Sequence, residues 1–126
     1  MERLAAQDPD NAEWQSLLST AHDSTGMLLD AEGDRTGALV AYRTSVAIAE
    51  RLTAQKPANG EWLFGLVVSH LRLTEALLST GDPMARSHAL QVMAQARSWA
   101  DRFPQDPRRR ILLEAVEGLV ERSGRH

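Results

Sequence analysis

The chain has 126 residues, 43% hydrophobic and 25% charged, with a net charge of −3, a balance that suits one globular domain with a modest core. It contains no cysteine, which excludes disulfides, thiolate metal sites and cysteine nucleophiles. The mild acidity argues against a nucleic-acid partner, since such modules carry a basic face.

In chain order, the opening MERLAAQDPD lacks the apolar core of a signal peptide. The longest nearly uncharged apolar run, Trp62 to Leu71, is too short to span a bilayer. No membrane partner is expected, and the cytoplasm is the expected location. A helical stub is expected at 1–7. Apolar and small residues then recur at helical spacing, at Trp14, Leu18, Ala21, Thr25 and Leu28, and predict a helix over 11–31. Ala38, Tyr42, Ser45, Ala49 and Leu52 predict a second over 35–55, and Trp62, Leu66, Ser69, Leu73 and Ala76 a third over 59–80. A fourth is expected over 83–103 and a fifth over 108–122. Gly33-Asp34 and Gly81-Asp82 read as a helix stop followed by an N-cap. Pro83 fits a first turn. Asp8-Pro9-Asp10-Asn11 and Lys56-Pro57-Ala58-Asn59 break the chain between helix pairs, with Asn11 or Asn59 free to cap the tryptophan-bearing helix beside it. No stretch alternates with period two, so the expected class is all-α, with short loops forcing antiparallel neighbours.

The chain repeats itself. Shifted by 48 residues, 2–34 match 50–82 at 14 of 33 positions, where chance would give about two. ERLAAQDPDNAEW at 2–14 returns as ERLTAQKPANGEW at 50–62, and a partial third copy comes at Ala100-Asp101-Arg102-Phe103 and Gln105-Asp106-Pro107. A period of this size is the mark of a stacked array. The units are 8–56 and 57–106, then a terminal capping helix at 107–122 and a frayed tail at 123–126. The stub matches the last turns of the helix before Pro57, so it is expected to belong to a larger protein, to follow repeats lost upstream, or to pack on another chain.

The pattern resembles the tetratricopeptide repeat, in the long-helix variety found in bacterial proteins. Trp14 with Leu17-Leu18, Ala38-x3-Tyr42-x2-Ser45 and Pro57 keep the family's order. Trp62 with Gly65-Leu66, Ala89-x3-Met93-x2-Ala96 and Pro107 keep it again. The familiar repeat has 34 residues, so each helix here is longer by about two turns, and alanine or serine stands where the first helix usually has tyrosine. The resemblance covers about 1–122 and implies helix pairs stacked as a right-handed solenoid. It also implies a concave groove for a protein or peptide partner, lined one, five, eight and nine positions after each tryptophan: Gln15, Ser19, His22 and Asp23, then Leu63, Val67, His70 and Leu71. The lysine and asparagine that grip a C-terminal carboxylate in this family are absent.

The third predicted helix is apolar nearly all round, so Leu63, Val67 and Leu71 need cover worth about 1.5–3 kcal/mol each. An apolar peptide, a second copy of the chain in a homodimer, or stronger superhelical curvature would each supply it. His22 and His70 hold equivalent places and are expected near one another. With Asp23 they sketch a metal site, but inheritance of a packing role explains the repetition, so no metal and no cofactor are expected; a pH-sensitive groove is the other reading. His88 reads as a surface residue. Trp14, Trp62 and Trp99 read as core, Trp99 with partial exposure. Arg108, Arg109 and Arg110 crowd the positive end of the last helix, either as a solvated cluster or as a patch for an acidic partner. No phosphate loop, metalloprotease or nucleophile-elbow motif occurs. The expectation is a non-catalytic interaction scaffold, with a structural oligomerisation or linker element as the alternative.

Overall fold

In the computed structural model, residues 11–124 are described. They form five helices: α1 (Asn11–Ala31), α2 (Arg35–Gln55), α3 (Gly60–Ser79), α4 (Ala85–Arg102) and α5 (Arg109–Ser123). No strand occurs among the described residues, so the class is all-α. Nor is any helix there long and apolar enough to cross a membrane. The expected stub at 1–7 lies outside the described residues.

The helix ends arise from local chemistry. Gly33 and Gly81 stand at φ of 89° and 72°, the left-handed region that glycine enters without steric cost. Each closes its helix with the same pair of bonds. Asp34 N donates to Leu29 O and Gly33 N to Asp30 O; 48 residues later Asp82 N donates to Leu77 O and Gly81 N to Leu78 O. This is the Schellman arrangement, and it satisfies carbonyls that a helix terminus leaves open. Asp34 then caps α2 by accepting from Gly37 N at 2.9 Å, and Asn59 caps α3 by accepting from Trp62 N at 3.1 Å.

Two starts differ from expectation. Asp82 accepts from Met84 N, and Asp106 accepts from Arg108 N, both at 2.8 Å. In each case the backbone carbonyl of the aspartate also takes the amide three residues on. An Asp-Pro turn therefore precedes both α4 and α5. Pro83 lies in the turn, outside the helix, and α4 begins at Ala85. At the other end α5 runs to Ser123, where fraying was expected. Ser123 is 4% exposed; its hydroxyl donates to Val120 O at 2.7 Å and accepts from Arg86 on α4.

Each helix packs on the next, and α1, α3 and α5 also touch in sequence, while α2 and α4 share no contact among the described residues. The odd helices thus form one layer, and the even helices sit in the other. Two apolar centres result. One joins Ala38, Tyr42 and Val46 of α2 to Leu73, Ala76 and Leu77 of α3 and to Ala85. The other joins Val67 of α3 to Val92, Met93, Ala96 and Trp99 of α4 and to Leu112 and Val116 of α5. Small residues set the first spacing: Ala38, Ala41, Ser45 and Ala49 on α2 are all buried. Gly26 of α1 is buried too, and a Cβ there would stand 2.6 Å from the Tyr42 ring.

Two expectations about the core are corrected. Trp99 is 2% exposed, the largest fully buried side chain. Its indole Nε1 donates to Gly60 O at 3.1 Å, and its ring meets Phe64 with centroids 5.0 Å apart. Trp14, expected in the core, is instead 57% exposed, because α1 has α2 and α3 on one side and no described helix on the other. In α5, Leu112, Val116, Leu119 and Ser123 face inward and Ile111 is exposed.

Candidate binding groove

Three serines from three helices meet where α1, α2 and α3 converge. Ser19 Oγ donates to Ser45 O at 3.1 Å, and Ser45 Oγ donates back to Ser19 O at 2.9 Å. Ser69 Oγ lies 3.1 Å from Ser45 Oγ and donates to Asp23 Oδ2, also at 3.1 Å. All three serines are buried, and each hydroxyl proton has an acceptor, as buried polar groups require. Asp23 closes the chain at the groove edge. Burial pushes its carboxyl above the ordinary carboxylate value, against the hydrogen bonds of Ser45 and Ser69 and the charges of Arg72 and His22, which pull it down. Its Oδ1 is buried with no partner among the described residues.

Beside this ladder runs an open hollow of about 260 Å³ between α1 and α3, floored by Ala49 and Leu52 of α2. Ser16, Ser19, Thr20, Asp23, Ser24 and Met27 come from α1; Glu61, Trp62, Phe64, Gly65, Val68, Ser69 and Arg72 come from α3. A Cβ added at Gly65 would meet nothing within 4 Å. The walls are mostly apolar, and Asp23 and Arg72 stand on opposite sides for polar contacts.

Of the residues singled out in the sequence, Ser19 and Asp23 line this hollow. Gln15 and His22 are half-buried and stand off its lining. Leu63, Val67, His70 and Leu71 do not line it, which corrects the expectation. Val67 is 2% exposed in the α3–α4–α5 core, and Leu63 and Leu71 pack against that core. The reason is positional. The middle helix α3 has α1 and α2 on one side and α4 and α5 on the other, so an all-round apolar surface finds cover within the chain. Leu63 and Val67 instead edge a separate hollow between α3 and α4, with Leu66, Ala94, Gln95, Ser98, Trp99 and Arg102.

The neighbour of His70 is His88, with ring centroids 6.1 Å apart, so His88 is not the surface residue expected; its Nδ1 is buried without a partner among the described residues. Burial holds the His70 imidazole below the ordinary histidine value, Glu50 opposing and His88 adding to the effect. Among the described residues no group of three or more histidines or carboxylates is placed to hold a metal ion.

The three arginines at the start of α5 each have a partner within the chain. Arg108 bonds Glu61 on α3 through both terminal nitrogens at 2.6 and 3.1 Å, bonds Asp106 at 2.8 Å, and stacks 4.1 Å from the Phe64 ring centroid. Arg109 donates to Ala100 O, and Arg110 to Glu114. The carboxylates hold the Arg108 guanidinium above its already high ordinary value, and Arg108 in turn draws Asp106 below the usual carboxylate range. The same carboxylates offset the unfavourable cations at the start of α5.

Sequence reasoning missed Arg72, Ser45, Ser69 and Val68. Arg72 left a signal, being the one arginine or lysine in the apolar α3 sequence. The serines left none, since each sits where alanine would also fit a small-residue row.

No protein-family model, curated protein or solved structure matches the chain.

Proposed function

We propose that the chain is a non-catalytic interaction scaffold of tetratricopeptide type, which holds a peptide segment or an exposed loop of a neighbouring domain in the groove between α1 and α3. The 48-residue repeat and the pattern of contacts, odd helices against odd with even helices wedged between, support a helix-pair stack. One contrast carries the functional reading. Shifted by 48 residues, Ser19, Asp23 and Ser45 become Val67, Leu71 and Met93. The second unit fills these places with core side chains, and the first keeps a serine ladder ending in a carboxylate. A carboxylate retained at a desolvation cost beside an open hollow is the pattern of a binding residue.

In this reading Asp23 accepts from a backbone amide of the bound segment, and Arg72 donates to one of its carbonyls. Met27, Trp62 and Val68 take an apolar side chain between them. The test is selection from a random display library of 12-residue peptides on the immobilised chain, with amide shift mapping of a selected peptide. Shifts centred on Asp23, Gly65, Val68 and Arg72 support the proposal; shifts confined to α4 and α5 refute it.

A further inference from the structure

The groove does not end at Arg72. A second hollow of about 310 Å³ follows between the C-terminal halves of α1 and α3, and Met27 and Arg72 line both. Besides Arg72, its charged and phenolic groups are Asp30 of α1, Tyr42 of α2, Glu75 of α3 and Arg122 of α5. The first hollow is mostly apolar, so the two together make one trench with an apolar end and a polar end.

What is already paired decides which charge suits the polar end. Arg122 and Glu75 stand 3.9 Å apart and offset one another. No ion pair engages Asp30 or Arg72 among the described residues. With Arg72 donating to a carbonyl of the bound segment, the Asp30 carboxylate is left over. Tyr42 supplies a second, independent observation. It is 5% exposed and yet lines the hollow. No hydrogen bond engages its hydroxyl among the described residues, and a buried hydroxyl calls for a partner. Burial holds the phenol above its ordinary value, and Asp30 is the next cause; Asp23 and Glu75 act in the same direction, and Arg72 against it. Carboxylates outweigh the guanidinium at this point, so a cation is favoured there over an anion. The neutral phenol oxygen can accept from an ammonium or guanidinium group.

We propose that the polar end takes a lysine or arginine side chain of the bound segment, its cation held between the Asp30 carboxylate and the Tyr42 hydroxyl. The inference rests on the groove's binding a peptide segment and adds the sequence preference of that groove. Val68 at the apolar end and Glu75 at the polar end are seven residues apart on α3, about 10 Å at a rise of about 1.5 Å per residue. An extended segment covers that distance in about three residues. The preferred segment therefore carries an apolar residue with a lysine or arginine three or four positions from it.

The probes are peptides recovered in the 12-residue display selection, acetylated and amidated so that no terminal charge takes part, and titrated against the full chain by calorimetry. Peptides that shift Val68 and Arg72 are expected to share the basic position, and its change to glutamine to weaken binding about fivefold. Asp30 is exposed, so Asp30→Asn leaves the fold intact. Against that variant the basic peptide and its glutamine counterpart are expected to bind within about twofold of each other. Tyr42→Phe keeps the ring against Gly26 and narrows the same gap; circular dichroism checks that both variants are folded. Groove-mapped peptides without a shared basic position, or a gap that Asp30→Asn leaves whole, would overturn this inference and leave peptide binding in the groove standing. A shared aspartate or glutamate would overturn it too, assigning the polar end to Arg72 and Arg122. Shifts confined to α4 and α5 would remove both.

Discussion

Asp23 on α1 accepts a hydrogen bond from the hydroxyl of Ser69 on α3 at 3.1 Å across 46 residues of chain. The bond ties the two helices that flank the groove, and it does so through a carboxylate that burial disfavours in its charged form. The ladder is the part of the first unit that packing alone would not select, since the second unit builds the same junction from Val67, Leu71 and Met93.

The Asp23 carboxyl is raised in the folded state above its ordinary value of 3.8. Between those two values Asp23 is more protonated in the folded chain than in the unfolded one, so its own contribution to stability falls as pH rises through that window and is flat above it. Asp23→Asn removes the charge and keeps an acceptor for Ser69. It is expected to leave stability at neutral pH equal or higher, and to remove this downward step. Urea unfolding from about pH 3 to 7 measures both; a variant clearly less stable at neutral pH would show that the carboxylate holds the ladder together.

Val67 lies in the core, 2% exposed. Val67→Ala is expected to cost roughly 1–3 kcal/mol in urea unfolding, and Val67→Glu to prevent folding, since it buries an unpaired charge. A soluble, helical Val67→Glu variant would place this side chain on a surface after all.

The three tryptophans differ in environment. Single-tryptophan variants are expected to show Trp99 emission blue-shifted and protected from acrylamide, and Trp14 emission red-shifted and quenched. Trp99→Phe also loses the bond to Gly60 O, and is expected to cost about 1–3 kcal/mol. Equal quenching of Trp14 and Trp99 would contradict the burial assigned here.

Arg108 joins α3 to the turn before α5 through Glu61, Asp106 and the Phe64 ring. Lysine cannot reproduce the forked contacts or the stacking. Because the site is partly exposed, the loss in Arg108→Lys is expected to be about 1 kcal/mol, with Glu61→Gln giving a smaller loss. Thermal unfolding midpoints check the order; a neutral Arg108→Lys would mean the cluster is only surface pairing.

The helix ends are legible in the sequence because their causes are local. Glycine at 33 and 81 and asparagine at 59 act within a few residues of themselves. The start of α4 departs from expectation by two residues because Asp82 caps Met84 rather than opening the helix at Pro83. The facing of α3 is not legible: a helix apolar on all sides carries no periodic signal to say which side meets α4. Nor is the fate of Arg108, which depends on Glu61, 47 residues away. Of the groove, Ser19 and Asp23 are legible through the resemblance; Arg72 and Val68 depend on how α3 is turned relative to α1.

The groove is tested most directly at Gly65, which stands in open space on its wall. Leucine there fills the hollow, and replacing an exposed mid-helix glycine adds up to about 1 kcal/mol of stability. The measurement is the affinity of Gly65→Leu for a peptide selected on the unsubstituted chain, taken together with its unfolding midpoint. The account predicts at least a tenfold loss of affinity in a protein that is no less stable; undiminished affinity in the folded variant would contradict it.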